Sequence, residues 1–259
     1  MNAAALSDWF VTREPEQAAA PARVFCFPHA GGNTRVFLAW QPALAGDAQL
    51  LAVCRPGREH RAGEAAPSFE EYADGAAAAV REATEADGRP VYLFGHSLGA
   101  LVALEVARHL ADLPQLRHLV ASGCSAPSLL PSRRVRETAE LRGREFAEAI
   151  AFFGGLPPEA VADDDLRELL LPGLIADFRM AVGYRYRPAD PLAVPLSLIN
   201  GRQDPHVGPE QLEPWRAESR EDPSYHWADG GHFYFEKEPA AVTDLLRAVV
   251  QADQHVELI

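Results

Sequence analysis

The sequence predicts an α/β fold in which helices cover both faces of a mostly parallel β-sheet. Two observations favour it: short apolar runs bounded by turn residues, and segments of helical length between them. The predicted buried strands are RVFCFP (23–28), LLAVC (50–54), VYLFG (91–95), HLVASG (118–123) and PLSLING (195–201). The predicted helices around them span 69–86, 99–110 and 239–251. Strands that alternate with helices pair in parallel.

One region interrupts this alternation. From about Leu129 to Tyr186 no segment has a strand pattern, whereas residues 142–154 and 163–184 have helical periodicity on either side of a Gly/Pro-rich break. About sixty residues are more than an ordinary crossover connection needs. We therefore expect residues 1–259 to form a single domain with a helical lid inserted at about 129–186. The alternative is a pair of ordinary crossover helices.

The composition argues against several classes of protein. A formal net charge of −13 repels nucleic acid. The three cysteines, Cys26, Cys54 and Cys124, are too few and too irregular for a disulfide framework and fit small core residues in a reducing compartment. The N-terminus lacks the basic and apolar regions of a signal peptide, and no apolar run is long enough to span a membrane. We expect a cytoplasmic protein that binds neither nucleic acid nor membrane.

The segment GHSLG (95–99) carries the first chemical signal, because it stands between a predicted strand and a predicted helix. In that context Gly-x-Ser-x-Gly is a nucleophile elbow, a tight turn that holds its serine in a strained conformation. Ser97 is therefore the candidate nucleophile; the alternative is a glycine turn with an incidental serine. A serine hydroxyl is a weak nucleophile at neutral pH, so it requires a histidine base and a carboxylate that orients the base.

Two later segments provide the acid and the base. Asp204 follows a predicted strand, at the sheet edge where such folds place functional groups, whereas Asp190 precedes that strand and is the weaker candidate. His232 follows two glycines in a loop, whereas His226 lies within a probable strand, SYHW. Ser97, Asp204 and His232 thus form the predicted catalytic triad, in the chain order of the α/β-hydrolase fold.

An oxyanion hole needs two backbone N–H groups directed at the attacked carbonyl oxygen. Leu98 follows the candidate nucleophile at a helix N-terminus and is the first predicted donor. Ala30, in the glycine-rich loop FPHAGGNT (27–34), is the second, unless that loop is an ordinary strand-to-helix turn. The histidines lack the spacing of metal ligands, so no metal site is predicted, and we expect His96 to pack beside the elbow.

The segments FPHAGG, PGREHR, GHSLGA, GRQD and DGGHFYF together resemble the stand-alone type II thioesterases of polyketide and nonribosomal peptide pathways, over roughly residues 20–250. The segments FFGGLPPEAV and LPGLIADFRMAVGYRY resemble the lid of that family. The resemblance implies hydrolysis of acyl groups from the phosphopantetheine arm of acyl or peptidyl carrier proteins, which clears stalled or aberrant chains, without a metal or organic cofactor. It also implies that Ser97, Asp204, His232 and the backbone of Ala30 and Leu98 perform the reaction.

Three other functions remain open at this stage. One is a carboxylesterase or lipase that acts on a free small-molecule ester, and another is a product-releasing thioesterase domain of a megasynthase. The third is a catalytically silent binding module. The chain begins with Met and shows no upstream carrier segment, which we take to favour an independent protein.

The lid is expected to form one wall of an acyl chamber. Its apolar residues should divide between packing within the lid and lining that chamber. The five positions are Phe152, Phe153, Leu156, Leu174 and Phe178.

Carrier docking requires a local basic patch, because carrier proteins are usually acidic and this chain is acidic as well. The predicted patch is PSRRVRE, with Arg133, Arg134 and Arg136 at the start of the lid. The alternative patch is RPGREHR, with Arg55, Arg58 and Arg61. Equally, these arginines could be solvated or could pair with acids such as Glu59 and Glu64.

Overall fold

A computed structural model describes residues 8–13, 19–152, 155–156 and 158–256 of the chain. Within them, seven strands form one sheet in the order β1-β3-β2-β4-β5-β6-β7, and each neighbouring pair is parallel except β1 and β3. The strands are β1 Phe10–Val11, β2 Ala22–Phe27, β3 Ala48–Val53, β4 Val91–His96, β5 Leu116–Ser122, β6 Leu196–Gly201 and β7 Ser224–Ala228. All five strands predicted at the outset are present, as is the probable strand that contains His226.

Ten α-helices occur in the same residues. They are α1 Arg35–Leu38, α2 Phe69–Asp87, α3 Leu98–His109, α4 Arg133–Glu140, α5 Gly143–Phe152, α6 Pro158–Ala162, α7 Asp164–Gly183, α8 Pro209–Leu212, α9 Tyr234–Lys237 and α10 Ala240–Val256. Short 3₁₀ helices lie at Gln41–Leu44, Glu59–Arg61, Pro127–Leu129 and Glu213–Glu218. None of the helices in the described ranges combines the length and the apolar composition that a membrane crossing requires.

The sheet has an apolar layer on each face because alternate strand residues point in opposite directions. On β2, Phe25 and Phe27 pack with α2 and α3, whereas Val24 and Cys26 pack on the other face with α10. Burial of each large apolar side chain contributes about 1.5–3 kcal/mol to folding. Helices therefore cover both faces, and the architecture is the predicted α/β-hydrolase fold.

Four helices, α4 to α7, lie between β5 and β6, and the described residues of this segment include no strand. We call them the lid helices. They share an apolar cluster of their own, which includes Phe146, Ile150 and Leu171. The Gly/Pro-rich break contains α6, a helix that the sequence pattern did not indicate. Pro158 begins it, and a proline is tolerated there because first-turn N–H groups have no partner within a helix.

Candidate active site

Ser97 occupies the turn between β4 and α3 with φ 54° and ψ −118°, a conformation that non-glycine residues rarely adopt. The flanking glycines make this turn possible. A Cβ atom on Gly95 would overlap the carbonyl of Gly99, and a Cβ atom on Gly99 would overlap the carbonyl of Phe27. The Ser97 N–H donates to the carbonyl of Ser122 at 2.8 Å, which ties the elbow to β5.

Asp204 and His232 lie on neighbouring loops at the same edge of the sheet. Oδ2 of Asp204 lies 2.8 Å from Nδ1 of His232, and both side chains are buried. The other oxygen, Oδ1, accepts the backbone N–H groups of His206 at 2.8 Å and Val207 at 3.3 Å. Because the carboxylate is held from both sides, it can fix the orientation of the His232 imidazole.

The loops that carry this pair are themselves tied together. The Gln203 N–H donates to the carbonyl of Gly230 at 2.9 Å, and the Gly230 N–H donates to Oε1 of Gln203. The two weaker candidates lie elsewhere. His226 is on β7 opposite Ile199, with Nε2 at 3.1 Å from Oγ of Ser224, and Asp190 is exposed in the segment before β6.

Ala30 and Leu98, the predicted oxyanion donors, line the same cavity as Ser97 and His232. Leu98 is the first residue of α3, so its N–H has no acceptor within the helix. The loop that carries Ala30 is closed by a hydrogen bond from the Gly32 N–H to the carbonyl of His29 at 2.9 Å. This arrangement suits an acyl carbonyl placed between the elbow and the glycine-rich loop.

The cavity has a volume of about 450 Å³, within the range of small-molecule sites. Its wall is mainly apolar. The lid helices contribute Ile150 and Ala181, and the core contributes Leu101, Val207 and Phe233. An aliphatic or aromatic acyl group fits such a wall better than a charged one, because burial of an unpaired charge is costly.

The five predicted chamber residues have different positions. Leu174 and Phe178 line the cavity, and Leu156 is buried in the apolar cluster of the lid helices. Phe152 is not among the lining residues and has 52% of its surface exposed, but its ring packs against the guanidinium of Arg134 and the ring of His206, which both line the cavity, so its part in the chamber stays a prediction. Ile150, two positions earlier on α5, faces the cavity instead, since residues two apart on a helix point in different directions. Phe153 lies outside the described residues.

Three further histidines surround His232. His29 and His206 line the cavity, and His96 lies buried beneath the elbow with Nδ1 at 2.8 Å from Oγ of Ser122. Burial lowers the pKa of His29 to about 3 and that of His206 to about 4, and it lowers the pKa of His96 well below its usual range. All three are neutral at physiological pH, so they do not repel a positive charge that forms on His232. Across the described ranges, no group of three or more His, Cys, Asp or Glu residues could hold a metal ion.

The three arginines of the predicted docking patch differ in their surroundings. Arg133 is almost fully exposed and pairs with Glu137 one turn along α4. The guanidinium of Arg134 lies 3.9 Å from the centre of the Phe152 ring, and the residue lines the cavity. Nε of Arg136 donates to the carbonyl of Pro131 at 3.1 Å. Arg134 is exposed and also lines the cavity, so it lies where the cavity opens to solvent at the lid helices.

The alternative patch is not an exposed one. Arg61 pairs with Glu64, as considered above, and its guanidinium also lies over the Trp9 ring. Arg55 is 2% exposed and Arg58 is 26% exposed, and both pair with Asp177 on α7. Asp177 could not be found from the sequence pattern, because it lies far along the chain from both arginines. His206 was also missed, although its place two residues after Asp204 is a signal that could have found it.

Comparison with known proteins agrees with this geometry. The model of a family described as "Thioesterase domain" matches residues 22–251. Thioesterase PikA5 of Streptomyces venezuelae is 36% identical over 82% of this chain and 75% of its own length. Two solved structures are also similar. RedJ, a thioesterase of the prodiginine pathway of Streptomyces coelicolor, is 33% identical, with a TM-score of 0.81 over 92% of this chain and 94% of its own. BorB, a type II thioesterase of the borrelidin cluster, is 30% identical, with a TM-score of 0.80 over 93% of this chain and 97% of its own.

Proposed function

Because the chain belongs to the thioesterase family, we propose that it is a stand-alone type II thioesterase that hydrolyses acyl groups from the phosphopantetheine arm of carrier proteins. One observation carries the mechanism: Ser97 and His232 open onto the same apolar cavity, and Asp204 holds the ring of His232. The proposed triad is Ser97, Asp204 and His232.

Acylation begins when Nε2 of His232 takes the proton from Oγ of Ser97. The oxygen attacks the thioester carbonyl, and the N–H groups of Ala30 and Leu98 stabilise the negative charge on the carbonyl oxygen. The C–S bond then breaks, and the pantetheine sulfur takes the proton from His232 as it leaves, so that His232 is neutral again. The acyl group remains on Ser97 as an ester.

Hydrolysis of this ester follows the same path with water as the nucleophile. His232 removes a proton from the water molecule, whose oxygen attacks the ester carbonyl, and it returns that proton to Oγ of Ser97 as the carboxylic acid leaves. A thioester suits this site because a thiolate is a good leaving group, so little demand falls on His232 as an acid.

Carrier proteins are the proposed partners, and the mouth of the cavity next to Arg134 is the proposed docking point. The lid helices serve as the lid that the sequence predicts, within a single domain of residues 1–259. Their apolar residues on the cavity side receive the acyl group. We place the reaction in the cytoplasm, since Cys26, Cys54 and Cys124 are free thiols that suit a reducing compartment.

A panel of acyl groups tests this function. Each acyl group is presented as a thioester on a carrier protein, as a thioester on pantetheine and as the corresponding oxygen ester. We expect kcat/KM to be highest for the carrier thioester and lowest for the oxygen ester. A preference for the oxygen ester would assign the chain to carboxylesterases. Equal rates on carrier and pantetheine would remove the carrier from the proposal.

A further inference from the structure

A buried ionic cluster joins the lid helices to the loop that carries Ala30. Asp177, on α7, is 3% exposed, and its carboxylate contacts two arginines of the segment after β3. Oδ2 pairs with Arg55, and Oδ1 lies 2.8 Å from Nη2 of Arg58. Oδ2 also accepts the backbone N–H of Gly31 at 2.6 Å. The side chains of Asp177, Arg55 and Arg58 do not line the cavity.

A buried carboxylate is costly unless it is paired and hydrogen-bonded, and Asp177 meets both conditions. Its partners lie far away in the sequence, 146 positions for Gly31 and 122 for Arg55. The cluster therefore binds together three segments that local folding alone does not bring together: the glycine-rich loop, the segment after β3, and α7.

The hydrogen bond to Gly31 acts next to the proposed oxyanion donor. Gly31 directly follows Ala30, and it lies in the turn that the Gly32 to His29 hydrogen bond closes. The Asp177 bond fixes the peptide plane between Ala30 and Gly31, while the turn bond fixes the other side of the loop. Together they restrict the direction in which the Ala30 N–H points.

The part of α7 that carries Asp177 also contributes to the cavity wall. Leu174 and Phe178 line the cavity; Leu174 lies three positions before Asp177 and neighbours it on the helix surface, and Phe178 directly follows Asp177. Gly173 leaves the room that Arg58 occupies, since a Cβ atom there would overlap the guanidinium. The same buried ionic cluster thus holds both the part of α7 that lines the cavity and the loop that carries Ala30.

We propose that Asp177 is a positioning residue, which fixes the oxyanion loop relative to α7 through the N–H of Gly31. This inference rests on the proposed function, because it assigns a role in the same reaction. Asp177 touches neither the substrate nor the reacting atoms, and it acts through the orientation of the Ala30 N–H.

The test compares Asp177→Asn with Glu218→Gln, using an acyl-pantetheine thioester. Glu218 is a matched control, because it is also 3% exposed and pairs with a partly buried arginine, Arg108, at 2.5 Å, but lies outside the cavity wall. We expect Asp177→Asn to lower kcat by about 10–100-fold with little change in KM, as for loss of a partner that orients a catalytic group. Glu218→Gln should keep the wild-type kcat, although both variants lose thermal stability. Equal kcat in the two variants would overturn the proposal.

Two further measurements keep the proposal testable. The rate at which a fluorophosphonate labels Ser97 should fall in Asp177→Asn and not in Glu218→Gln. This comparison does not require activity on thioesters. A wild type that is inactive on thioesters would refute the proposed function, whereas equal labelling rates in the two variants would refute the role of Asp177. If Asp177→Asn does not fold, amide hydrogen exchange on the wild type tests the hydrogen bond from the Gly31 N–H to Asp177. The Gly31 amide should exchange at least about 100-fold more slowly than an unstructured amide. Exchange at the unstructured rate would contradict the inference.

Discussion

Nδ1 of His232 lies 2.8 Å from Oδ2 of Asp204, and the carboxylate is fully buried. Asp204 is also held by two backbone N–H groups of its own loop. An acceptor fixed in this way keeps the proton of the neutral imidazole on Nδ1, so Nε2 is left as the basic nitrogen. The tautomer that general-base catalysis requires therefore follows from the folding of the loop after β6.

Ser97→Ala should lower kcat by a factor of about 10⁴ or more, because it removes the nucleophile of a triad that acts as a unit. The fold should persist, since alanine removes only a hydroxyl. Labelling with a fluorophosphonate probe checks the same point, and Ser97→Ala should not be labelled. Ser128→Ala, at an exposed serine in the 3₁₀ helix after β5, is the control and should label like the wild type. Labelling of Ser97→Ala would place the nucleophile elsewhere.

His232→Ala should be more damaging than Asp204→Asn, because the histidine exchanges the proton whereas the carboxylate only orients and stabilises the ring. His226→Ala is the control. It changes a histidine on β7 whose ring contacts Ser224, away from the cavity. We expect kcat/KM close to the wild-type value for this variant, and a loss equal to that of His232→Ala would show that the base is wrongly assigned.

Much of the fold was predictable because parallel strands are buried on both faces and appear as continuous apolar runs. β1 was missed, since two residues are too few for any pattern. α6 was missed because Pro158 stands in a Gly/Pro-rich stretch that indicates a break, although a proline is tolerated in the first turn of a helix. Pro172 lies inside α7 although prolines usually end helices, and there tertiary packing of the lid helices outweighs the local preference.

The candidate site was predictable only where one short segment contains the whole signal. Gly95 and Gly99 identify Ser97, and two glycines precede His232 in its loop. Asp177 has no such signal, because its role depends on partners from segments more than a hundred residues away. The chamber wall depends on which side of each helix faces inward, and for this reason Ile150 was not found from the sequence.

The free energy of unfolding should decrease as the pH falls from about 6.5 towards 4. His29 has its pKa lowered to about 3 by burial, so in this range the unfolded chain binds a proton that the folded chain does not. The contribution of His29 to the slope of this free energy against pH is up to about 1.4 kcal/mol per pH unit. Denaturant unfolding of the wild type and of His29→Gln at several pH values measures this contribution to the pH dependence of the free energy of unfolding. The variant should have the shallower dependence, and identical slopes would contradict the prediction.

Ala181→Leu should shorten the longest acyl chain that the enzyme accepts. Ala181 is on α7 and lines the cavity, and the added carbons project into a volume of about 450 Å³. The measurement is kcat/KM across acyl-pantetheine thioesters of increasing length. Ala162→Leu makes the same change at an exposed position on α6 and should leave the chain-length profile unaltered. If the two variants have the same profile as the wild type, α7 does not form the acyl wall.

Replacement of Arg133 and Arg134 by alanine should raise KM for an acylated carrier protein by about fivefold and leave KM for a small acyl-pantetheine thioester close to its wild-type value. The reason is that a chain of net charge −13 attracts an acidic carrier only through a local basic patch, and Arg134 stands at the mouth of the cavity. The effect should shrink as salt is added, because counterions screen exposed charges.

Arg144→Ala is a control for this double variant and removes one positive charge where the double variant removes two. Arg144 is an exposed arginine on α5 that pairs with Glu148 one turn along its helix, as Arg133 does with Glu137 on α4. Its replacement changes the net charge but leaves the mouth of the cavity intact, so the carrier KM should stay near the wild-type value. An equal rise in the carrier KM for Arg144→Ala would mean that carriers respond to overall charge. An equal loss of activity on both substrates in the double variant would mean that the cavity itself was damaged. Either result would move the docking point away from Arg134.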